Sequence, residues 1–433
     1  MILRFIRKTF VSLSIRNYRL FFTGQVISLI GTWIQRTTMG WFVYRLTNSA
    51  FLLGLVSFLS MIPSLPISPF VGAWADRWNR HHTVIYTQIA FLIQNAILAT
   101  MVLTGFINTQ RQYPILILAL AQGIIEAVDS PIRQNLLIDL IGDKKMLPNA
   151  IATNSAMFNA ARLVGPAVGG FLIVLFSEGV CFAINAASYL PVIITLLMIK
   201  VNYPKLVHHK ESVFRKITEG WAYAYRSFPI RYLLMNLSIY TLFGMSYSTL
   251  LPVFAKDVLG GDSSTQGLLM STAGIGALTG SIVLASKTSI RGLPQRLLLV
   301  GILASTSMIF FSRSLSLPIS MFLMLFIGFG MMMNMATTNT LIQSLVSDDM
   351  RGRVLSSYTM TFMSMSPFGS LIIGSLSAKF GAQYTMLACS SICLLWSLSS
   401  FSILNRFITN MLKMLVRNSN SGVYRMPRLR LNQ

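Results

Sequence analysis

Charge is scarce in this chain. Only 11% of its 433 residues are Asp, Glu, Lys or Arg, and 12 of them are acidic. Ordinary globular chains carry about 25% charged residues. Combined with 54% apolar content and a mean hydropathy of +0.63, that scarcity excludes a water-soluble domain. Cysteine is also rare. Cys181, Cys389 and Cys393 all fall in apolar runs, and the four histidines lie in loops. Buried thiols without a ligand set predict neither disulfide nor metal site. We find no Ser/His/Asp set, metal cluster or phosphate loop, so neither an enzyme nor a cofactor is expected. Residues 1–15 lack a small-residue cleavage site and read as an uncleaved arm.

What the chain does have is long apolar runs. Twelve are long enough to cross ~30 Å of hydrocarbon: 20–44, 50–73, 83–104, 114–131, 151–176, 180–199, 232–255, 266–285, 296–312, 318–340, 355–378 and 383–404. They predict an all-α membrane protein. A hydrophilic stretch divides them six and six. Its Phe214, Ile217, Trp221 and Ala224 share one helical face, so it reads as an amphipathic helix on the membrane surface. The expected organisation is an amino-terminal arm (1–19), a six-helix lobe (20–200), a linker (201–231), a second six-helix lobe (232–404) and a basic, unstructured tail (405–433).

The formal charge of +23 would suit nucleic acid, but its distribution does not. With the amino end inside, 28 of the 35 basic residues fall in the arm, the tail and alternate loops, and only five in the opposite loops. This is the positive-inside pattern, and it places both termini in the cytoplasm. The charge serves topology and contact with membrane lipids, and no nucleic-acid partner is expected.

Polar residues within the runs are the candidate site. In the first, Gln25, Ser28, Thr32 and Gln35 form a stripe. Arg36 comes next, either snorkelling to the headgroups or facing a wet cavity. Glu126, Asp129 and Arg133 end the fourth run at i, i+3, i+7. An acid at that depth is a functional candidate. Asp129 reads as the partner of Arg77 and Arg80 in the loop after the second run. Glu126, a turn deeper, is either a proton carrier or buried in a polar contact. The fifth run carries Ser155, Asn159 and Arg162 on one face, with Arg162 near the midplane, where snorkelling is difficult. Ala161, Gly165 and Gly169 form a small-residue ridge for close helix packing, and Pro166 bends it. In the second half, Asn236, Tyr240 and Tyr247 share a face of the seventh helix. Asn334 sits among Met331, Met332, Met333 and Met335, and the eleventh run holds Met360, Met363 and Met365. Such methionines either pack helices or adapt to apolar ligands. Leu140–Lys145 aligns with Leu345–Met350, an internal repeat of the kind that builds two-lobed transporters. The loop Gly72–Arg80 has a degraded copy at Ser286–Lys287.

Several of these stretches resemble the major facilitator superfamily. Gly72-x-x-x-Asp76-Arg77-x-x-Arg80 looks like its signature loop. Gly165-Pro166-x-x-Gly169-Gly170 resembles the fifth-helix motif of its drug antiporters. Asn17–Phe21, Gly31–Arg36, Asp129–Gln134 and Arg351–Val354 are similar to the branch holding the enterobactin exporter and macrolide efflux proteins. The match runs from about residue 15 to 405 and is not specific to a substrate. It implies proton-driven export across a bacterial inner membrane by alternating access. It also implies a gate latch of Gly72, Asp76, Arg77, Arg80 and Asp129. Two positions depart from the pattern. His81 replaces a second consecutive Arg, and Glu126 replaces a neutral polar residue.

The expected function is a monomeric secondary exporter of a small, partly apolar organic molecule, exchanged for protons. Gln25, Gln35, Arg36, Asn159, Arg162, Asn236, Tyr240 and Asn334 are expected to line its substrate cavity. The alternatives are a lipid or lysolipid transporter, or a non-transporting membrane sensor or assembly partner.

Overall fold

A computed structural model describes residues 11–74, 78–142, 145–199, 213–286, 289–290 and 292–420. Among them the chain forms twelve long helical units, one short α-helix and a 3-10 turn (Val11–Ser14). The first six are α1 (Arg16–Thr47), α2 (Ala50–Met61, resuming as Ser64–Trp74), α3 (Arg80–Leu103), α4 (Tyr113–Ile141), α5 (Leu147–Leu175) and α6 (Glu178–Leu197). The short helix α7 spans Val213–Arg226. Beyond it come α8 (Phe228–Val258), α9 (Ser263–Ala285), α10 (Leu293–Arg313), α11 (Leu317–Leu345), α12 (Asp348–Phe380) and α13 (Ala382–Asn420).

Ten of the long units are apolar enough to span a membrane by length and composition. The other two, α1 and α12, have the length but more polar residues. Both line the central cavity, so part of each surface faces water instead of lipid. The helices form two lobes, α1–α6 and α8–α13. Among the described residues, Arg80 with Asp139 and Arg353 with Glu219 lie at helix ends next to loops that the sequence makes basic, and Asn48 with Lys256 at helix ends next to charge-poor loops.

The apolar core shows how the lobes meet. In the charge-poor half its largest cluster crosses between the lobes, running from Phe42, Leu53 and Leu98 of one to Leu250, Leu269 and Phe311 of the other, and a smaller one joins Ile34 and Ile173 to Ala255. In the basic half it separates into two clusters. One surrounds Phe21, Ile132 and Leu196; the other surrounds Leu233, Leu341 and Phe407. The lobes are therefore sealed at the charge-poor end.

Glycines make the seal. A Cβ added at Gly170 of α5 would meet Ser263 O of α9 at 2.5 Å, and one at Gly267 of α9 would meet Pro166 O at 2.5 Å. On the opposite flank, Gly54 of α2 faces Ser370 O of α12 at 2.5 Å, and Gly374 faces Ala50 O at 2.7 Å. Each crossing joins one helix from each lobe, backbone on backbone. Hydrogen bonds support it: Ser263 Oγ donates to Gly170 O (3.0 Å) and Ser271 Oγ to Leu163 O (2.9 Å). Beyond the crossings Tyr44 OH donates to Asp257, and Lys256 Nζ to Asn48 Oδ1 at 2.6 Å.

Two expectations are corrected. The segment from Asn405 is helical to Asn420, because Phe407 and Met411 are buried against the second lobe and hold it there. The run 232–255 is not a regular helix. After Ile239 it passes through a π segment (Tyr240–Gly244), a 3-10 segment (Met245–Leu250) and a second π segment (Phe254–Val258). Irregular backbone at membrane depth is tolerated where it borders a cavity, and Met245–Thr249 do so.

The ridge on α5 also packs within its own lobe. A Cβ at Gly165 would collide with Trp33 Cβ, and one at Gly169 would meet Ile34 Cα at 3.1 Å. Gly165→Leu should therefore fail to accumulate in membranes, whereas Val164→Leu, on an exposed face, should accumulate normally. Fluorescence of a carboxy-terminal fusion measures both.

Candidate functional site: a charged cavity between the lobes

Beneath the seal lies a cavity of about 520 Å³, within the ~300–1,000 Å³ range of small-molecule sites. Its walls come from both lobes. Ser57, Ser60, Ser64 and Ser68 form a stripe down α2, and Met363, Ser366 and Ser370 face it from α12. From α8 come Tyr247 and Thr249, and from α9 Gln266 and Met270.

Three charged residues reach this space: Arg36, Arg162 and Glu126. The two guanidinium groups share one aromatic platform. Arg36 Cζ lies 5.1 Å from the Trp33 ring centroid and Arg162 Cζ 6.0 Å. A cation over an indole face gains about 0.5–2 kcal/mol, which partly offsets the cost of two arginines in one cavity. Among the described residues neither has a carboxylate partner, and Glu126 makes no hydrogen bond or ion pair. The cavity lining thus holds two cations against one carboxylate.

Of the sequence-derived cavity residues, Gln35, Arg36 and Arg162 line it. Gln35 also begins a polar chain into the first lobe. Its Nε2 donates to Gln122 Oε1 (3.2 Å), and Asn185 Nδ2 donates to Gln35 Oε1 (2.6 Å) and Asn95 Oδ1 (3.1 Å). The other five lie elsewhere. Gln25 is buried within the first lobe, two to three turns before Gln35. Asn159 bonds back to Ser155 O on α5 at 2.9 Å. Asn236 and Asn334 bond each other (2.9 Å) in the core of the second lobe, where Trp396 Nε1 also donates to Asn236 (3.1 Å). Tyr240 OH is buried against Ser305 (3.2 Å) and Ser397 (2.5 Å). The π and 3-10 segments break the helical register, so Tyr240 points into the lobe while Tyr247 points into the cavity. The methionines at the cavity are Met39, Met61, Met245, Met270 and Met363. Met331 and Met333 are core packing.

The expected latch is also rearranged. Asp76 and Arg77 lie outside the described residues, and Gly72 falls in the last turn of α2. Arg80 meets Asp139, its Nη1 donating to both carboxylate oxygens at 3.0 Å, instead of the expected Asp129. α4 continues to Ile141, nearly three turns past the expected end, and presents Asp139 there. Asp129 is 1% exposed and pairs with Arg133 on its own helix at 2.9 Å. Thr87 Oγ1 (2.6 Å) and Gln88 Nε2 (2.8 Å) also donate to it. Three residues along a helix is a rotation of about 300°, leaving side chains ~60° apart. That offset puts Glu126 in the cavity and Asp129 inside the lobe.

Removing one partner of a buried ion pair costs about 3–5 kcal/mol, because the other charge is left uncompensated. Asp129→Ala should therefore unfold at clearly lower temperature than Asp129→Asn, which keeps an acceptor for Thr87 and Gln88. Scanning fluorimetry of the purified protein measures the difference.

Residues 7–420 match the family model described as transmembrane secretion effector. The chain is 27% identical over 407 residues to the staphyloferrin A transporter of Staphylococcus aureus (strain NCTC 8325 / PS 47), covering 93% of this chain and 99% of that one. It is 22% identical over 376 residues to macrolide efflux protein A of Streptococcus pyogenes, covering 84% and 90%. A similar solved fold is a bacterial homolog of the human lysosomal transporter Spinster, inward-facing and unoccupied. There the TM-score is 0.72 at 16% identity, over 91% of this chain and 98% of that one. With a family model spanning nearly all of its helices, the chain belongs to the transmembrane secretion effector family of major facilitator transporters.

Proposed function

We propose that the protein exports a small, partly apolar organic molecule bearing an anionic or hydrogen-bonding group, in exchange for protons. The observation that carries this reading is the central cavity, where Arg36 and Arg162 flank Trp33 without carboxylate partners and Glu126 stands unpaired. Two unneutralised cations at membrane depth are costly unless a solute or water meets them. Methionine and serine walls suit a ligand with both apolar and polar surface.

In this reading the basic end is cytoplasmic, by the positive-inside bias, and the protein sits as a monomer in a bacterial inner membrane with both termini inside. The sealed charge-poor end is then the outer door, closed, and the cavity loads from the cytoplasm. Rocking of the two lobes would open the glycine crossings and release the solute outside. Glu126 is our candidate proton carrier, since proton uptake neutralises the cavity's single carboxylate. Asp139 and Arg80 join Asp76, Arg77 and Gly72 as candidates for the latch at the inner door.

Five methionines on the cavity wall keep a lipid-like substrate as a second reading, because flexible thioethers also suit acyl chains. A scaffold or sensor would have no use for a cavity with three ionisable groups.

Uptake into inverted membrane vesicles separates these readings. Siderophores, macrolides and a fluorescent lysolipid serve as probes, with and without a proton gradient. We expect gradient-driven uptake of an anionic or hydrogen-bonding solute. Arg162→Ala should abolish it with normal membrane levels, and Glu126→Gln should remove its response to uncoupler. Full transport in Arg162→Ala would sink the cavity assignment. Wild-type coupling in Glu126→Gln would move the proton to another group. Lysolipid uptake alone would favour the second reading.

A further inference from the structure

A second hollow, of about 750 Å³, lies far from the central cavity, where α7, the first turn of α8, the start of α12 and the end of α13 converge. Its walls are apolar, with Tyr223, Phe228, Met350 and Met414 among them, and three cations border it: Arg226, Arg353 and Lys413. Arg353 is already paired with Glu219 at 2.5 Å. Arg226 and Lys413 are exposed and have no acidic partner among the described residues.

Its depth is set by the helices around it. Phe228 and Pro229 open the spanning helix α8, so the hollow sits where that helix enters the bilayer. Trp221 and Tyr225 of α7 are 42% and 74% exposed. Exposed aromatics beside an amphipathic helix mark the headgroup layer. Arg406 lies over the Phe228 ring at 4.7 Å, on the same rim. The site therefore stacks free cations at headgroup level over an apolar wall, complementary to a molecule with an anionic head and apolar chains.

We propose that this hollow binds an anionic phospholipid, with its phosphate between Arg226 and Lys413 and its chains along Phe228 and Met414. A zwitterionic headgroup would bring its own ammonium against two cations, so selectivity for net negative charge is expected. The bound lipid would also hold α7 in place. A Cβ at Gly220 would collide with Arg353 O, so α7 already packs backbone to backbone on α12. A lipid bridging Arg226 of α7 and Lys413 of α13 would clamp its other side. This role is independent of what the central cavity carries.

Binding of a fluorescent phosphatidylglycerol to the purified full-length protein in detergent tests the proposal. The competitors are unlabelled phosphatidylglycerol, phosphatidylcholine and inorganic phosphate. Each cation near an anionic surface is worth about 1 kcal/mol, so Arg226→Ala with Lys413→Ala should weaken binding about 30-fold. Lys379→Ala, in the last turn of α12 at the charge-poor end, should leave binding unchanged. If the alanine pair aggregates, Arg226→Gln with Lys413→Gln gives the same comparison. Equal competition by phosphatidylcholine would reduce the hollow to unspecific detergent-like contact. Effective competition by inorganic phosphate would make it a free-anion site. Unchanged affinity in the double variant would place the lipid elsewhere. Each of these three results overturns the proposal.

Discussion

Where the two lobes of this protein meet, backbone meets backbone. At Gly170–Gly267 and at Gly54–Gly374 two helices approach so nearly that even a methyl group would touch a carbonyl oxygen. Lipid supplies no hydrophobic force between helices, so association rests on packing, and small residues permit the closest packing. The two crossings lie on opposite flanks of the molecule. Each pairs a helix from the first lobe with one from the second, as a parallel repeat predicts. Everything below them depends on that closure. It joins the apolar cores of the lobes in the charge-poor half, leaves the main cores separate in the basic half, and roofs the cavity between.

A roofed cavity changes what its walls can contain. Three ionisable side chains would be expensive in hydrocarbon, but here they face a shared space, and Trp33 offers its ring to both arginines. The broken backbone of α8 obeys the same constraint, since its 3-10 turn borders the cavity instead of lipid. Asp129 shows the opposite solution: wholly inside its lobe, it is met by Arg133, Thr87 and Gln88 together. A satisfied carboxylate of this kind holds helices; among the described residues Glu126 has no such set of donors.

Much of the architecture is legible in the sequence, because spans and charge bias depend on composition alone. Arg162 and Gln35 are legible too, since a midplane arginine and a polar stripe have few other uses. Gly165 stands out as a packing ridge, yet the partners of Gly170 do not, because sequence spacing says nothing about which lobe a glycine faces. Tyr247 leaves the face of Asn236 and Tyr240 for a different reason. A shared face assumes a regular helix, and the π and 3-10 segments rotate the residues after Ile239 by an amount no periodicity encodes. The serines of α2 escape notice although 57, 60, 64 and 68 keep helical spacing. Serine is too common in apolar helices to stand out until a cavity is seen beside it. Asp139 is hidden because hydropathy ends the fourth span before the helix ends.

The central claim is that the glycine crossings shut one end of a cavity that would otherwise be open there. Ser57 of α2 lines that cavity one turn below Gly54, and the native thiols Cys181, Cys389 and Cys393 are buried. We would measure labelling of Ser57→Cys by a membrane-impermeant maleimide applied from the charge-poor side, alone and combined with Gly267→Leu or Gly374→Leu. The account predicts slow labelling in the single variant and fast labelling once either leucine wedges its crossing apart. Fast labelling without a leucine, or slow labelling in folded double variants, would contradict it.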